Sequence, residues 1–309
     1  MSWTTQDIPD LSGRVAVVTG VTGGLGFHTA LGLGRAGAAL VVTARNPAKA
    51  EETLGRLRAE LPGTDVETLS LDLADLSDVE RATTELLGRH DRIDVLVNNA
   101  GIMVPPFSRT ADGFELQIGT NHLGHFAWTA RLWPALRHGA RVVAVSSLAH
   151  ASARGIDLAS LTREGSSRRY RRWRSYGESK LADLLFSQEL DRRAKAAGVG
   201  VVSVAAHPGY AATELQRTGL AMGNRLVGNV LHQVSRVVAQ SAAAGAQPLL
   251  RAATDPTFVG GEYVGPHGPG GVRGYPVLVG MTRWAHDPEL AAQVWEASER
   301  AVDVPFDVA

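Results

Sequence analysis

Tyr176 and Lys180 stand four residues apart in YGESK (176–180). On a helix, residues i and i+4 share a face, so this phenol and this ammonium can meet one ligand. A neighbouring ammonium favours phenolate over phenol, and that makes a tyrosine usable as a general acid or base. Tyr170 differs: four residues on it meets Arg174, a spread guanidinium rather than a compact charge. The Tyr–Lys pair alone is equally an exposed helix pair, so its weight depends on what surrounds it.

A second group with chemical meaning is TGVTGGLG (19–26). It follows a β-branched run and precedes a helical one, the context in which a glycine turn holds a dinucleotide. Gly20 permits the tight turn, Gly24 lets backbone approach a pyrophosphate, and Gly26 allows close helix packing, with Thr22 and Leu25 completing the turn. After the next apolar run comes VVTARNP (41–47), with Arg45 where an acid would select the ribose 2′-hydroxyl of NAD(H). An arginine there favours a 2′-phosphate, so NADP(H) is expected over NAD(H). Asp72, followed by Leu73, is suited to accept from an adenine amino group.

These residues need a frame. Apolar, β-branched runs at 14–20, 38–44, 65–71, 92–98, 140–146 and 199–206 are continuous rather than alternating, as in strands covered on both faces of a parallel sheet. Helical spacing fills 25–36, 47–60, 77–88, 112–137 and 176–197. The order implies an α/β doubly wound Rossmann fold: a mainly parallel, seven-stranded sheet with helices on both faces. Beyond 213, helical stretches follow at 221–238 and 240–253, then a Gly/Pro-rich stretch at 260–276. A last helix is signalled by Asp287 as cap and Pro288 at its first position, with Leu290, Val294 and Ala301 on one face. No linker or repeat interrupts the chain, so residues 1–309 are read as a single domain with substrate-side elaborations at about 148–175 and 214–276.

Composition narrows the function. Lys+Arg and Asp+Glu balance at 31 each, and a neutral chain lacks the excess positive charge that drives general nucleic-acid binding. The five arginines of RRYRRWR (168–174) are a local cluster, so no nucleic-acid partner is expected. The absence of cysteine removes disulfides, thiolate metal sites and a cysteine nucleophile. His122 and His125 lack a third ligand at metal spacing and are read as packing or surface residues, with His122 near the site. No Gly-x-Ser-x-Gly elbow supports a hydrolase. No signal-peptide pattern or membrane-length apolar run appears, so a cytoplasmic protein with no membrane partner is expected.

Six motifs in order, TGVTGGLG, NNAG (98–101), NHLGHF (121–126), VSSLAH (145–150), YGESK and HPGYAAT (207–213), make the chain resemble the short-chain dehydrogenase/reductase family over nearly its whole length. The resemblance implies a catalytic set of Asn121, Ser147, Tyr176 and Lys180. Tyr176 would exchange the proton with the substrate oxygen, Ser147 would bond that oxygen, Lys180 would hold the nicotinamide ribose, and Asn121 would hold a water linking Lys180 to solvent. Asn98 and Ala100 would touch the adenosine side. Pro208, Gly209, Tyr210 and Thr213 would cradle the nicotinamide carboxamide. The implied substrate is a small carbonyl compound or alcohol, and the implied assembly a homo-oligomer pairing through the long helix at 176–197.

Ser147 precedes Tyr176 by 29 residues, where compact members of the family have about a dozen. The inserted stretch is similar to the branch of retinol dehydrogenases, WW-domain oxidoreductases and protochlorophyllide reductases. The last of these rely on cysteines that this chain lacks. A catalytically silent NADP-binding sensor or scaffold is the competing class, set against the presence of all four catalytic residue types. The arginines of the insertion, with Trp173, are expected to shape substrate access.

Overall fold

The computed structural model describes residues 2–210 and 240–309. The expected helix at 221–238 and the cofactor residue Thr213 lie outside them. Strand β1 (Val15–Thr19) leads through the glycine turn into α1 (Gly24–Arg35), and β2 (Ala39–Ala44) into α2 (Pro47–Glu60). Then come β3 (Val66–Ser70), α3 (Leu76–Leu87) and β4 (Val95–Asn98). The second half contains β5 (Arg141–Val145) and β6 (Val202–Ala206). Helix starts follow local chemistry: Asn46 accepts from Lys49 N with Pro47 at the first position of α2, and Asp75 caps α3.

The strands form one sheet in the order β3-β2-β1-β4-β5-β6, continued by β7 (Tyr263–Pro266) and β8 (Pro276–Leu278). All neighbours are parallel except β7 and β8. Strand order reverses between β1 and β4, and the crevice beyond the carboxyl ends at such a switch point is where doubly wound sheets bind ligands. Eight strands replace the seven expected. The additional one, β8, is three residues opening on a proline inside the Gly/Pro-rich stretch. Its edge position tolerates a residue without an N–H donor, but it is too short to show a period.

The helical span at 112–137 is broken rather than continuous. It comprises α4 (Leu116–Ile118), a π-helical turn (Gly119–Leu123), α5 (Gly124–Arg131) and α6 (Trp133–Leu136). The Gly124 N–H bonds Gly119 O, five residues back, the mark of a π-turn and a frequent companion of functional sites. Helix α7 (Arg172–Ala197) starts four residues before the expected 176, so the end of the arginine strip is its first turn. Helix α8 (Ala242–Thr254) begins on Ser241 as cap. The final helix, α9 (Pro288–Val302), has the cap expected: Asp287 accepts from Glu289 N and Leu290 N.

Each face of the sheet has its own core. On one, α1 and α8 meet where a Cβ on Gly32 would stand 2.7 Å from the Leu250 methyl groups, so glycine sets their closeness. On the other, Phe126 of α5, Phe186 of α7, Trp295 of α9 and Phe306 form a ring cluster, with Phe126–Trp295 centroids 5.1 Å apart and Phe186–Trp295 stacked at 5.7 Å. Aromatic faces of this area supply a large share of core energy. This flank of α7 is therefore covered by the chain's own α9, and is not an open surface for pairing with another copy.

Candidate active site

The glycine turn forms against the loop after β4. Gly20 has φ +73°, and a Cβ there would come within 2.8 Å of Ala100 Cα. A Cβ on Gly26 would strike the Gly20 carbonyl and the Asn99 amide. Thr19 Oγ1 accepts from Asn99 N at 2.9 Å and Ala100 N at 3.0 Å, and Asn99 Nδ2 donates to Thr19 O at 2.7 Å. Thr22, Gly24 and Leu25 are half-buried at the mouth of α1. That helix has no side-chain cap and no acid in its first turn, leaving N–H groups and the positive dipole end available to an anion. The donor set and the glycine cradle fit a pyrophosphate.

Around this turn the structure redistributes the expected contacts. Asn98 is buried and turned inward, donating to Thr129 Oγ1 at 2.9 Å. Asn99 is the asparagine that holds the turn, a role the doubled NN concealed. Arg45 is exposed at the end of β2 with its Nε 4.0 Å from Asp72 Oδ2, and Asp72 Oδ1 accepts from Ala74 N. Leu73 is buried, with its carbonyl pressed on Gly124. At the end of β6, Gly209 has φ +67° and donates to His207 Nδ1. Tyr210 N bonds Val272 O, and Pro208 O accepts from Gln240.

Tyr176 and Lys180 are buried on one face of α7, laced to the end of β5. Lys180 Nζ donates to Val145 O at 2.8 Å, and Ser146 Oγ donates to Lys180 O at 2.7 Å. Ser147 opens a short 3-10 turn, its Oγ accepting from Ala149 N. Gly177 is what lets α7 close on that turn: a Cβ there would lie 2.5 Å from Ser152 Oγ and 2.8 Å from Ala149 O. A 29-residue separation thus still brings Ser147 and Tyr176 to one wall. The sequence marked Tyr176 but not the glycine beside it.

Asn121 lies in the π-turn. Its Oδ1 accepts from Ile102 N at 2.8 Å, and its Nδ2 donates to Ile102 O and Ser179 Oγ. His125 spans from the Asn121 carbonyl (Nδ1, 2.9 Å) to Thr19 Oγ1 (Nε2, 2.9 Å), joining this turn to β1. A carbonyl can only accept, so the ring is the Nδ1–H tautomer. Burial pushes the His125 pKa down to about 4, and His207 falls to about 4 for the same reason, helped by His150. Both histidines of NHLGHF are buried, not surface residues.

The insertion is docked, not loose. Tyr170 donates to Pro105 O at 3.1 Å, accepts from Gln117 at 3.0 Å and packs edge-on to Phe107; burial first, then Glu115, drives its pKa up. Tyr170 is thus an anchor. Trp173 is exposed, with its ring 6.4 Å from that of Tyr176. At 100° per residue, Trp173, Tyr176 and Lys180 lie on one side of α7 and Arg174 and Glu178 on the other, with Arg171 extended as the residue just before the helix. Those arginines line a separate surface cleft with Arg168, Arg169 and Glu115, and Arg174 pairs with Glu178 at 2.8 Å. Trp173 is the member of the strip that reaches the Tyr176 side.

Among the described residues, no helix is long and apolar enough to cross a membrane. The chain is 35% identical to human retinol dehydrogenase 13 over 94% of its own length and 85% of that protein. It is 40% identical to an uncharacterized oxidoreductase of Schizosaccharomyces pombe over 70% of its length, spanning 65% of that relative. A solved structure of an uncharacterized protein from Mycobacterium paratuberculosis matches 99% of both chains at 40% identity and a TM-score of 0.80. A gluconate 5-dehydrogenase of Burkholderia cenocepacia in complex with NADP and tartrate matches 82% of this chain and 93% of its own at 25% identity, with a TM-score of 0.60. The family model described as short chain dehydrogenase covers residues 14–222, and with the sheet order and the glycine turn it places this chain in the short-chain dehydrogenase family.

Proposed function

We propose that this chain is an NADP(H)-dependent oxidoreductase, acting as a single domain, that interconverts a carbonyl compound and its alcohol with Tyr176 exchanging the proton. The observation that supports it best is the buried Tyr176–Lys180 face of α7, fixed to β5 beside the glycine turn. When bound, the nicotinamide supplies or accepts the hydride.

The chain's part is position and charge. Tyr176 gives its proton to the substrate oxygen in reduction and takes it back in oxidation. Ser147 donates to the same oxygen, so two donors meet negative charge where it develops. Lys180 holds the nicotinamide ribose. Both N–H donors of the Asn121 side chain are taken by Ile102 O and Ser179 Oγ, its Oδ1 accepts one bond from Ile102 N, and its backbone carbonyl is shared with His125. A water linking the Lys180 end of the site to solvent would be held by the remaining lone pair of Oδ1 or of that carbonyl. Gly20, Thr22, Gly24, Leu25 and Gly26 would receive the pyrophosphate, Arg45 the 2′-phosphate, and Asp72, Leu73 and Ala100 the adenosine side, with the inward-turned Asn98 supporting that wall through Thr129. Pro208, Gly209 and Tyr210, with Thr213 outside the described residues, would hold the carboxamide.

A panel of ketones, aldehydes and alcohols followed by nicotinamide absorbance with both cofactors tests this reading. NADPH should be favoured, and Arg45→Ser should raise its KM about tenfold or more, the worth of one charge-assisted hydrogen bond, while leaving NADH unchanged. Absence of turnover with every substrate class would sink the enzyme reading.

Access is a separate matter. Trp173→Ala should change KM for bulky carbonyl substrates several-fold with kcat little altered, because the ring borders Tyr176 without touching the reacting atoms. The double change Arg171→Ser and Arg174→Ser should leave KM alone. The reverse pattern would put the substrate on the arginine side of α7.

A further inference from the structure

Taking an ammonium out of water costs several kcal/mol unless a counter-charge accompanies it. Among the described residues, the carboxylate within ion-pair distance of buried Lys180 is Asp183, at 2.8 Å, one turn further along α7 and itself buried. The other oxygen of Asp183 stands 3.8 Å from His122 Nδ1, and His122 Nε2 is 2.8 Å from Ser298 Oγ of α9. Ser298 gives its own proton to Val294 O, so its oxygen accepts and His122 carries a proton on Nε2. The other titratable groups facing the pair are Tyr176 of α7 and His125 of α5.

We propose that Asp183 is a positioning residue for Lys180: it takes one ammonium N–H, keeps the lysine cationic, and with Val145 O leaves a single N–H to serve the site. This rests on the oxidoreductase reading. An ammonium has three donors; Val145 O and Asp183 Oδ2 take two of them in fixed directions. Holding the fold does not by itself require such a pair. A buried ion pair replaced by well-packed apolar residues is commonly neutral or stabilising, and the neighbours Leu181, Ala182, Leu184 and Leu185 are buried and apolar. Asp183 is accounted for once the cation at 180 is required by the chemistry. Burial alone would pull Lys180 down; the charges of Asp183 and Tyr176 more than offset it and hold Lys180 above the ordinary lysine range. Asp183, which burial alone would raise, is held below the usual carboxylate range, chiefly by Lys180.

Lys49, Lys180 and Lys195 are the chain's only lysines, so protein labelled with ¹³C at lysine Cε has three resonances to titrate. In the wild type, Lys180 should titrate above the exposed Lys49. In Asp183→Asn its midpoint should fall by about one pH unit or more, and kcat for alcohol oxidation should decline on the alkaline side over the same interval. Asp183→Glu should restore part of both. An Asp183→Asn protein whose Lys180 titrates as in the wild type overturns the proposal. If that variant does not fold, a wild-type Lys180 midpoint at or below that of Lys49 overturns it as well. The resonance reports on Lys180 whether or not Tyr176 moves a proton. A fully active Tyr176→Phe enzyme would therefore remove the oxidoreductase mechanism, while the comparison of Lys180 in Asp183→Asn with Lys180 in the Tyr176-bearing wild type would still decide this proposal.

Discussion

Tyr176→Phe should lower kcat by about 10²- to 10⁴-fold, the range a positioned general acid or base supplies, and leave cofactor affinity and thermal stability near those of the wild type. The substitution removes one oxygen from a ring that the surrounding packing holds, and no hydrogen bond of the fold depends on that oxygen among the described residues. Steady-state rates in both directions, NADPH binding by fluorescence and a thermal melt check the three parts. Unchanged turnover would end the mechanism. Lost cofactor binding together with lost turnover would instead move Tyr176 into cofactor attachment.

Acid should destabilise the protein well before its carboxylates protonate. His125 and His207 are buried, with folded pKa values of about 4 against an ordinary 6.5. Between those values the unfolded chain takes up protons that the folded chain refuses, so stability falls as pH drops from about 6.5 toward about 4. Each histidine contributes a loss on the order of 3 kcal/mol across that window. Asp183, held below the usual carboxylate range, adds its loss only at lower pH. Glu115 and Asp191, raised chiefly by burial, act in the opposite sense as pH falls toward the ordinary carboxylate range. Urea unfolding at pH 7 and pH 5 should show the histidine decline. His207→Asn, whose amide oxygen can still accept from Gly209 N, should remove part of that decline, with His125, His28 and His150 supplying the rest. Equal stability at the two pH values would mean that the rings are protonated inside the fold.

The parallel sheet was legible because strands covered on both faces must be apolar throughout, and six such runs separated by helical spacing leave few arrangements. The cap at Asp287 is local chemistry and was equally visible, whereas those at Asn46 and Asp75, of the same kind, were met only in the structure. Strand β8 was hidden by its length and its proline, and the π-turn because one inserted backbone hydrogen bond leaves no trace in hydrophobic period. Tyr176 and Lys180 could be singled out because their spacing is local. Asn99, Gly177 and Asp183 could not, since each matters through a partner distant in sequence or through space that a Cβ would fill. The arginine strip was misleading in a particular way: seven consecutive residues look like one object, whereas only Arg172, Trp173 and Arg174 enter α7, where the turn of the helix sends Trp173 and Arg174 to different sides.

The cover that α9 lays over α7 also bears on how the molecule is made. Phe126 and Phe186 emerge from the ribosome long before Trp295 and Phe306, the rings that close over them. Contacts so far apart in sequence are slow to form, and an apolar face awaiting its cover is where nascent chains associate wrongly. This ring cluster therefore stays open until synthesis has passed residue 306, and this side of α7 is where a chaperone would find the unfinished chain.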